Sequence, residues 1–261
     1  MSDRVYRVDY NGGERHVLER DGRFYALEGN IFGDYRQGPE LDVPPGAQLP
    51  AGMRLLAPVS PSKLVGIGLN YKDHAAEQGK PLPVTPVIFL KPPSAIVATG
   101  EPILLPPGVG RVDFEAEMAI VIGRKARAVP ESEAGKYILG VTAVNDVTAR
   151  DMQSNGVQYS HCKGFDTFAP MGPAIAVGLD PSSLSVECWV NGVRRQASTT
   201  RELVFTVESL VAFVSSIMTL LPGDVISTGT PAGIAPLRPG DIVTVRVEGV
   251  GDLTNPVLAR A

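Results

Sequence analysis

Cysteine is nearly missing from this chain: Cys162 and Cys188 are the only two in 261 residues. The opening stretch Met1-Ser2-Asp3-Arg4-Val5-Tyr6-Arg7 also lacks an apolar signal core. Two cysteines without a secretion signal are expected to stay reduced in a cytoplasm. Cys162 beside His161 makes a poor nucleophile pair, because neighbours in an extended chain point apart. No run is apolar enough to span a bilayer. The richest one, Leu203 to Leu221, carries Glu208, three serines and two threonines. No basic run stands out among 24 basic and 28 acidic residues (net charge −4), which argues against a nucleic-acid partner. Internal repeats and low-complexity tracts are absent as well.

What is present is a globular composition, with 44% hydrophobic and 20% charged residues, enough for a sizeable core. Two regions are expected: a small β appendage over residues 1–57 and a catalytic domain over residues 58–261. In the first, Val5-Tyr6-Arg7-Val8-Asp9-Tyr10 alternates, Asn11-Gly12-Gly13 turns and His16-Val17-Leu18 resumes, a hairpin pattern. Gly38-Pro39 and Pro44-Pro45-Gly46 then mark loop. In the second, short apolar runs predict strands at 64–69, 87–90, 95–97, 103–105, 116–122, 174–177, 186–190, 225–228 and 242–247. Asn191-Gly192 predicts a two-residue turn. Apolar residues at helical spacing predict a helix over 206–221, stopped by Pro222-Gly223, and Ser132 to Tyr137 predicts a shorter one. With 23 prolines and 28 glycines, the expected class is α+β, mostly β.

Three carboxylates point to chemistry. Glu115 and Glu117 stand two apart in Val112-Asp113-Phe114-Glu115-Ala116-Glu117-Met118-Ala119-Ile120-Val121-Ile122, which reads as a strand. A period of two turns both side chains to one face. Two like charges held that close repel, and one takes a proton unless a cation lies between them. A Glu-x-Glu pair alone is often a solvated sheet face. The following Met118-Ala119-Ile120-Val121-Ile122 is apolar on both faces, however, so acids at its start need a reason. With Asp146, they form an oxygen-only set suited to Mg²⁺ or Mn²⁺; zinc would usually recruit His or Cys. Three protein ligands on an octahedral ion leave room for a 2-oxo acid to chelate through its carboxylate and keto oxygens.

Other candidates follow along the chain. His74 and Glu77 are three apart and share a helical face, so a carboxylate can orient an imidazole that then removes a proton from water. The plainer alternative is a chance pair on a surface turn. The short helix holding them ends at Gly79 before Pro81-Leu82-Pro83-Val84-Thr85-Pro86, the outline of a lid. Lys163 reads either as a surface lysine or as the group that stabilises negative charge on an oxo acid. Gly229-Thr230-Pro231-Ala232-Gly233, after a strand, reads either as a plain turn or as a loop offering N–H groups and a hydroxyl to an anion.

The motifs Asn70-Tyr71-Lys72-Asp73-His74, Phe89-Leu90-Lys91-Pro92, Asp113-Phe114-Glu115-Ala116-Glu117, Asn145-Asp146-Val147-Thr148-Ala149-Arg150-Asp151-Met152-Gln153, Lys163-Gly164-Phe165-Asp166 and Thr228-Gly229-Thr230-Pro231-Ala232-Gly233 resemble, in type and order, those of the fumarylacetoacetate hydrolase family. The resemblance covers residues 58 to 261. It implies a mixed β-sandwich roll with a small N-terminal β domain, assembled as a homodimer, and Mg²⁺ or Mn²⁺ (sometimes Ca²⁺) on Glu115, Glu117 and Asp146. It implies a water-activating dyad of His74 and Glu77 on a closing lid, and substrate contacts from Lys163, Gln153 and Thr230. Lys91 and Arg150 are further substrate-binding candidates, with pairing to Asp151 or bracing of Asp146 as the other role for Arg150. Gly66-Ile67-Gly68-Leu69-Asn70-Tyr71 contains no acid. It therefore lacks the fourth acidic ligand of the hydrolase that names the family and resembles the three-ligand branch. The expected activity is C–C hydrolysis of an acylpyruvate-type 2,4-dioxo acid through an enolate. The alternatives on the same site are oxaloacetate decarboxylation or tautomerisation, and isomerisation or decarboxylation of 2-hydroxyhepta-2,4-diene-1,7-dioate. A noncatalytic oxo-acid or metal sensor is the reading that His74, Glu77 and Lys163 together disfavour.

Overall fold

A computed structural model describes residues 3–44, 49–153 and 159–260. Pro45 and Gly46 of the expected 44–46 loop lie outside the described residues. The chain is α+β and mostly β. Its large sheet runs, in spatial order, Tyr35–Leu41, Arg23–Gly29, Gly13–Arg20, Asp3–Tyr10, Ala169–Val177, Ile138–Asn145, Ala116–Ile122, Val225–Ser227, Leu64–Gly68 and Val87–Lys91, with Met53–Leu55 and Ile96–Val97 paired off this path. A second sheet of five strands holds Val193–Thr199, Ser185–Val190, Ile242–Val247, Gly251–Ala259 and Ile103–Leu105. A third, two-stranded piece pairs Val112–Asp113 with Thr148–Ala149.

The N-terminal strands continue the large sheet. Asp3–Tyr10 pairs antiparallel with Ala169–Val177, matching Val5 to Ile175. Its hairpin turns at Asn11-Gly12, with φ of 54° and 77°. Positive φ at both central residues gives the turn a twist that suits the strands, which is why Asn-Gly predicts it. Asn191-Gly192 repeats this geometry at 52° and 76°.

Strand Ala116–Ile122 explains its own composition. Met118, Ile120 and Ile122 face a core shared with Val186, Cys188, Val245 and Val247 of the second sheet. Ala119 and Val121 face a different core with Leu64, Met171 and Ile175. Burying each of the larger side chains stabilises the fold by about 1.5–3 kcal/mol. The strand is therefore held from both sides, and its start is a rigid place to mount charged groups.

Two helical expectations change. The long helix covers Val207–Ile217, with the Thr206 side chain accepting from the Ser209 N–H as its cap. It stops before Leu221 because Met218 turns extended and Leu220 bonds back to Ala126 in a β-bridge. Glu131–Tyr137 forms a 3₁₀-helix rather than an α-helix. Strands Ile138–Asn145 and Gly251–Ala259 lie beyond those expected from the apolar runs.

Candidate active site

The start of strand Ala116–Ile122 meets the end of Ile138–Asn145 at one point, and the three acids meet there. The ladder opens with Ala116 opposite Asn145. Glu115 sits one residue before it, held by its N–H on Asn145 Oδ1 at 3.0 Å. The Asp146 N–H in turn donates to the Glu115 carbonyl at 2.8 Å. These two bonds lock the backbones that carry Glu115 and Asp146. One ligand oxygen from each of Glu115, Glu117 and Asp146 lies within 4.8 Å of the others, and all three residues are buried.

The charges around them are uneven. Burial pushes Glu117 up, and the Asp146 and Glu115 carboxylates push it further, to about 8. Among the described residues only neutral donors reach its carboxylate directly: Ser227 Oγ at 2.6 Å and the Gly229 N–H at 2.9 Å. Burial works the same way on Glu115, but Lys163 and Arg150 overcome it and hold that carboxyl well below its ordinary range. A carboxyl near 8 beside two other buried acids is the signature of a site short of positive charge. The oxygen-only donor set, the spacing and this deficit fit a divalent cation held by Glu115, Glu117 and Asp146.

Lys163 is no surface lysine. Its ammonium is buried, with Nζ 2.8 Å from Glu115 Oε2 and 2.8 Å from Thr148 Oγ1, and it also bonds Asp146. It stands 4.7 Å from the centre of the Phe89 ring. Lys91 departs from its expected substrate contact. It is 1% exposed, donates to Asp146 Oδ1 at 2.5 Å and to the Val147 carbonyl at 3.1 Å, and is not among the residues lining the cavity. It braces Asp146 from behind. Arg150 neither pairs with Asp151 nor braces Asp146. Its guanidinium spans Asp113 Oδ2 at 2.8 Å, Gln153 Oε1 at 2.6 Å and the Glu115 carboxylate. Asp113 takes that role because Arg111 and Arg150 converge on its two oxygens, while Asp151 accepts the N–H groups of Gly110 and Arg111. Cys162 is buried, its thiol pushed up by burial, and bonded to the Tyr159 carbonyl, so the sulfur has no nucleophilic setting.

A small cavity of about 70 Å³ opens beside the acids. Glu115, Glu117, Asp146, Lys163, Arg150, Gln153, His74 and Thr230 all line it, so nearly every expected site residue converges there. His74 and Glu77 ride on helix Lys72–Glu77. His74 Nδ1 lies 2.9 Å from Glu77 Oε2, and Glu77 Oε1 accepts the Gly233 N–H at 2.9 Å. A carboxylate only accepts, so Nδ1 carries a proton, and in the neutral ring Nε2 presents its lone pair. Gly233 has φ of +103°, and a Cβ there would meet the Arg195 carbonyl at 2.2 Å; only glycine fits.

One contributor, Gln196, was not visible as a site residue in the sequence. It is buried on strand Val193–Thr199, where no charge or motif marks it. Its Oε1 accepts the Ala116 N–H at 3.0 Å, which fixes the amide's orientation. Its Nε2 then donates to Thr230 Oγ1 at 2.8 Å and to the Pro231 carbonyl at 2.7 Å. Thr230 therefore accepts from Gln196, and its own O–H is left for the cavity. Thr230→Val keeps the shape and removes that donor. It is expected to weaken oxo-acid binding about tenfold while leaving Mn²⁺ affinity unchanged, measured by calorimetry on the metal-loaded protein.

The description "Fumarylacetoacetate (FAA) hydrolase C-terminal" belongs to a family model that matches residues 63–258. The chain belongs to this family. Family members include isomerases and tautomerases as well as hydrolases, and this member is an enzyme of that group. It is 42% identical over 221 residues to the mitochondrial oxaloacetate tautomerase of Xenopus laevis, covering 80% of this chain and 69% of the relative. The solved structure of 5-carboxymethyl-2-hydroxymuconate delta-isomerase from Mycobacterium smegmatis matches with a TM-score of 0.88 and 43% identity, covering 98% of this chain and 100% of that one. The 2-hydroxyhepta-2,4-diene-1,7-dioate isomerase of Mycobacterium marinum matches with a TM-score of 0.87 and 40% identity, covering 100% of both chains. Among the described residues, no helix of this family member is long and apolar enough to cross a membrane.

Proposed function

We propose that this enzyme moves a proton at the carbon next to the keto group of a small 2-oxo acid, as an isomerase or tautomerase, with Mg²⁺ or Mn²⁺ as its cation. The observation that carries this reading is His74, held by Glu77, on the wall of the cavity that also holds the three acids. A divalent cation bound by Glu115, Glu117 and Asp146 would supply Lewis-acid polarisation of the substrate's oxygens. The chain's own groups do the rest. His74 Nε2 accepts the proton from carbon and returns it at the same or a conjugated position. Glu77 holds the imidazole in the productive tautomer and steadies the imidazolium that forms. Lys163 offsets negative charge that develops on the substrate's keto oxygen. Thr230 donates its O–H to the substrate carboxylate.

The names of the similar proteins favour this reading over the C–C hydrolysis of a 2,4-dioxo acid expected from the sequence. Hydrolysis remains the second reading, because the same dyad can take the proton from a water instead of from carbon. A substrate panel with Mg²⁺ and Mn²⁺ separates them: enol oxaloacetate, a hydroxymuconate-type diacid, acetylpyruvate and fumarylpyruvate. Proton exchange followed by NMR, with no cleavage of either acylpyruvate, is the expected result. Cleavage to pyruvate would establish the second reading, and no turnover of any member would refute both.

A further inference from the structure

We propose that Lys80 receives the far carboxylate of a dicarboxylic 2-oxo acid and so selects diacids over monoacids; this rests on the reading of the site as one for 2-oxo acids. The cavity wall carries three cationic side chains, Lys163, Arg150 and Lys80. Two of them are already paired with carboxylates of the chain. An ammonium has three protons, and Lys163 spends them on Glu115, Asp146 and Thr148. Arg150 places three of its five N–H groups on Asp113, Gln153 and Glu115, and the two carboxylates among them answer its charge. Lys80 makes no side-chain hydrogen bond or ion pair within the described residues. The nearest acid along the chain, Glu77, has one oxygen on His74 and the other on the Gly233 N–H. Of the three, Lys80 alone has no carboxylate partner among the described residues, so a second anionic group entering the cavity meets its charge unanswered.

The placement of Lys80 is built into the fold. Helix Lys72–Glu77 ends in a Schellman turn: the Gly79 N–H donates to Ala76 O at 3.1 Å and the Lys80 N–H to Ala75 O at 3.0 Å. Gly79 takes φ of +60° to make it, a conformation that costs glycine nothing. The turn reverses the chain straight after the dyad. The helix that aims His74 at the reacting carbon thereby brings Lys80 to the same cavity. The two residues sit on one short helix-and-turn unit, six positions apart.

The test compares two ligands alike except at the far end, oxaloacetate and 2-oxobutanoate, with oxalate as a ligand that has no far end. Dissociation constants are measured by calorimetry on the Mn²⁺-loaded wild type, Lys80→Met and Lys80→Arg. Lys80 is exposed, so neither variant threatens the core. Lys80→Met is expected to weaken oxaloacetate about tenfold or more and to leave 2-oxobutanoate and oxalate within about twofold, with Lys80→Arg close to wild type. The oxaloacetate preference should shrink on raising KCl from 50 to 500 mM, because an exposed ammonium is screened. Equal shifts for all three ligands, or none for oxaloacetate, would overturn the role of Lys80. Failure of the wild type to bind either oxo acid would instead strike the parent reading.

Discussion

Glu117→Gln is expected to weaken Mn²⁺ binding by at least about 100-fold and to reduce turnover in proportion at fixed metal. Loss of groups that merely orient metal ligands costs about 10–100-fold, and a direct ligand should exceed that. The substitution is nearly isosteric, and its amide oxygen can keep the bonds from Ser227 and Gly229. Glu115 would be a less clean choice, since removing it strands Lys163 and Arg150. The same residue makes a pH prediction. Without a cation, burial and its two acidic neighbours raise Glu117 from 4.5 to about 8. The folded chain then binds more protons than the unfolded one between those values. The protonated carboxyl's contribution to stability is fully present below the unfolded value and is lost as pH rises through about 8. A divalent cation replaces the proton and removes this dependence. Thermal melts at pH 6 and pH 9, with and without Mn²⁺, should show the metal-free protein losing stability at the higher pH and the loaded protein not. Glu117→Gln should flatten the difference. A wild-type metal affinity independent of pH between 6 and 8 would contradict the assignment of Glu117 as a ligand.

His74→Ala is expected to cut turnover by about 10²–10⁴-fold with metal affinity unchanged, the range for loss of a general acid–base group. Among the described residues His74 makes no hydrogen bond or ion pair with Glu115, Glu117 or Asp146, so the acids should still gather the cation. Isomerisation and C–C hydrolysis both need the imidazole and should both collapse. Decarboxylation of oxaloacetate assisted by the cation alone needs no base and should persist in the variant. Glu77→Gln should fall between wild type and His74→Ala, because an amide can still hold the ring but cannot steady the imidazolium. Stopped-flow absorbance of enol oxaloacetate, with Mn²⁺ titrations on the same samples, measures both properties. Full proton transfer in His74→Ala would remove the dyad from the mechanism.

The acids were readable because their cause is local. Two carboxylates two residues apart, at the head of a strand apolar on both faces, conflict with burial unless something answers the charge. The helix carrying His74 and Glu77 was readable from three-residue spacing and Gly79. The destination of the long cationic side chains was not. Lys91 and Arg150 are flexible groups whose partners come from distant parts of the chain: Asp146 lies 55 residues from Lys91, and Asp113 lies 37 from Arg150. Gln196, 34 residues from Thr230, carries no motif and becomes relevant only because the second sheet brings it there.

Periodicity, turn residues and the order of short motifs are properties of neighbours along the chain, so the β-rich class, the Asn-Gly hairpins and the candidate ligands could be read from residue order alone. Which cation answers which acid, which way the Thr230 proton points and which lysine stays uncommitted depend on contacts between segments far apart in order. Those contacts exist only once two cores have closed around strand Ala116–Ile122, because burial is what makes each unpaired charge or donor costly enough to dictate its partner.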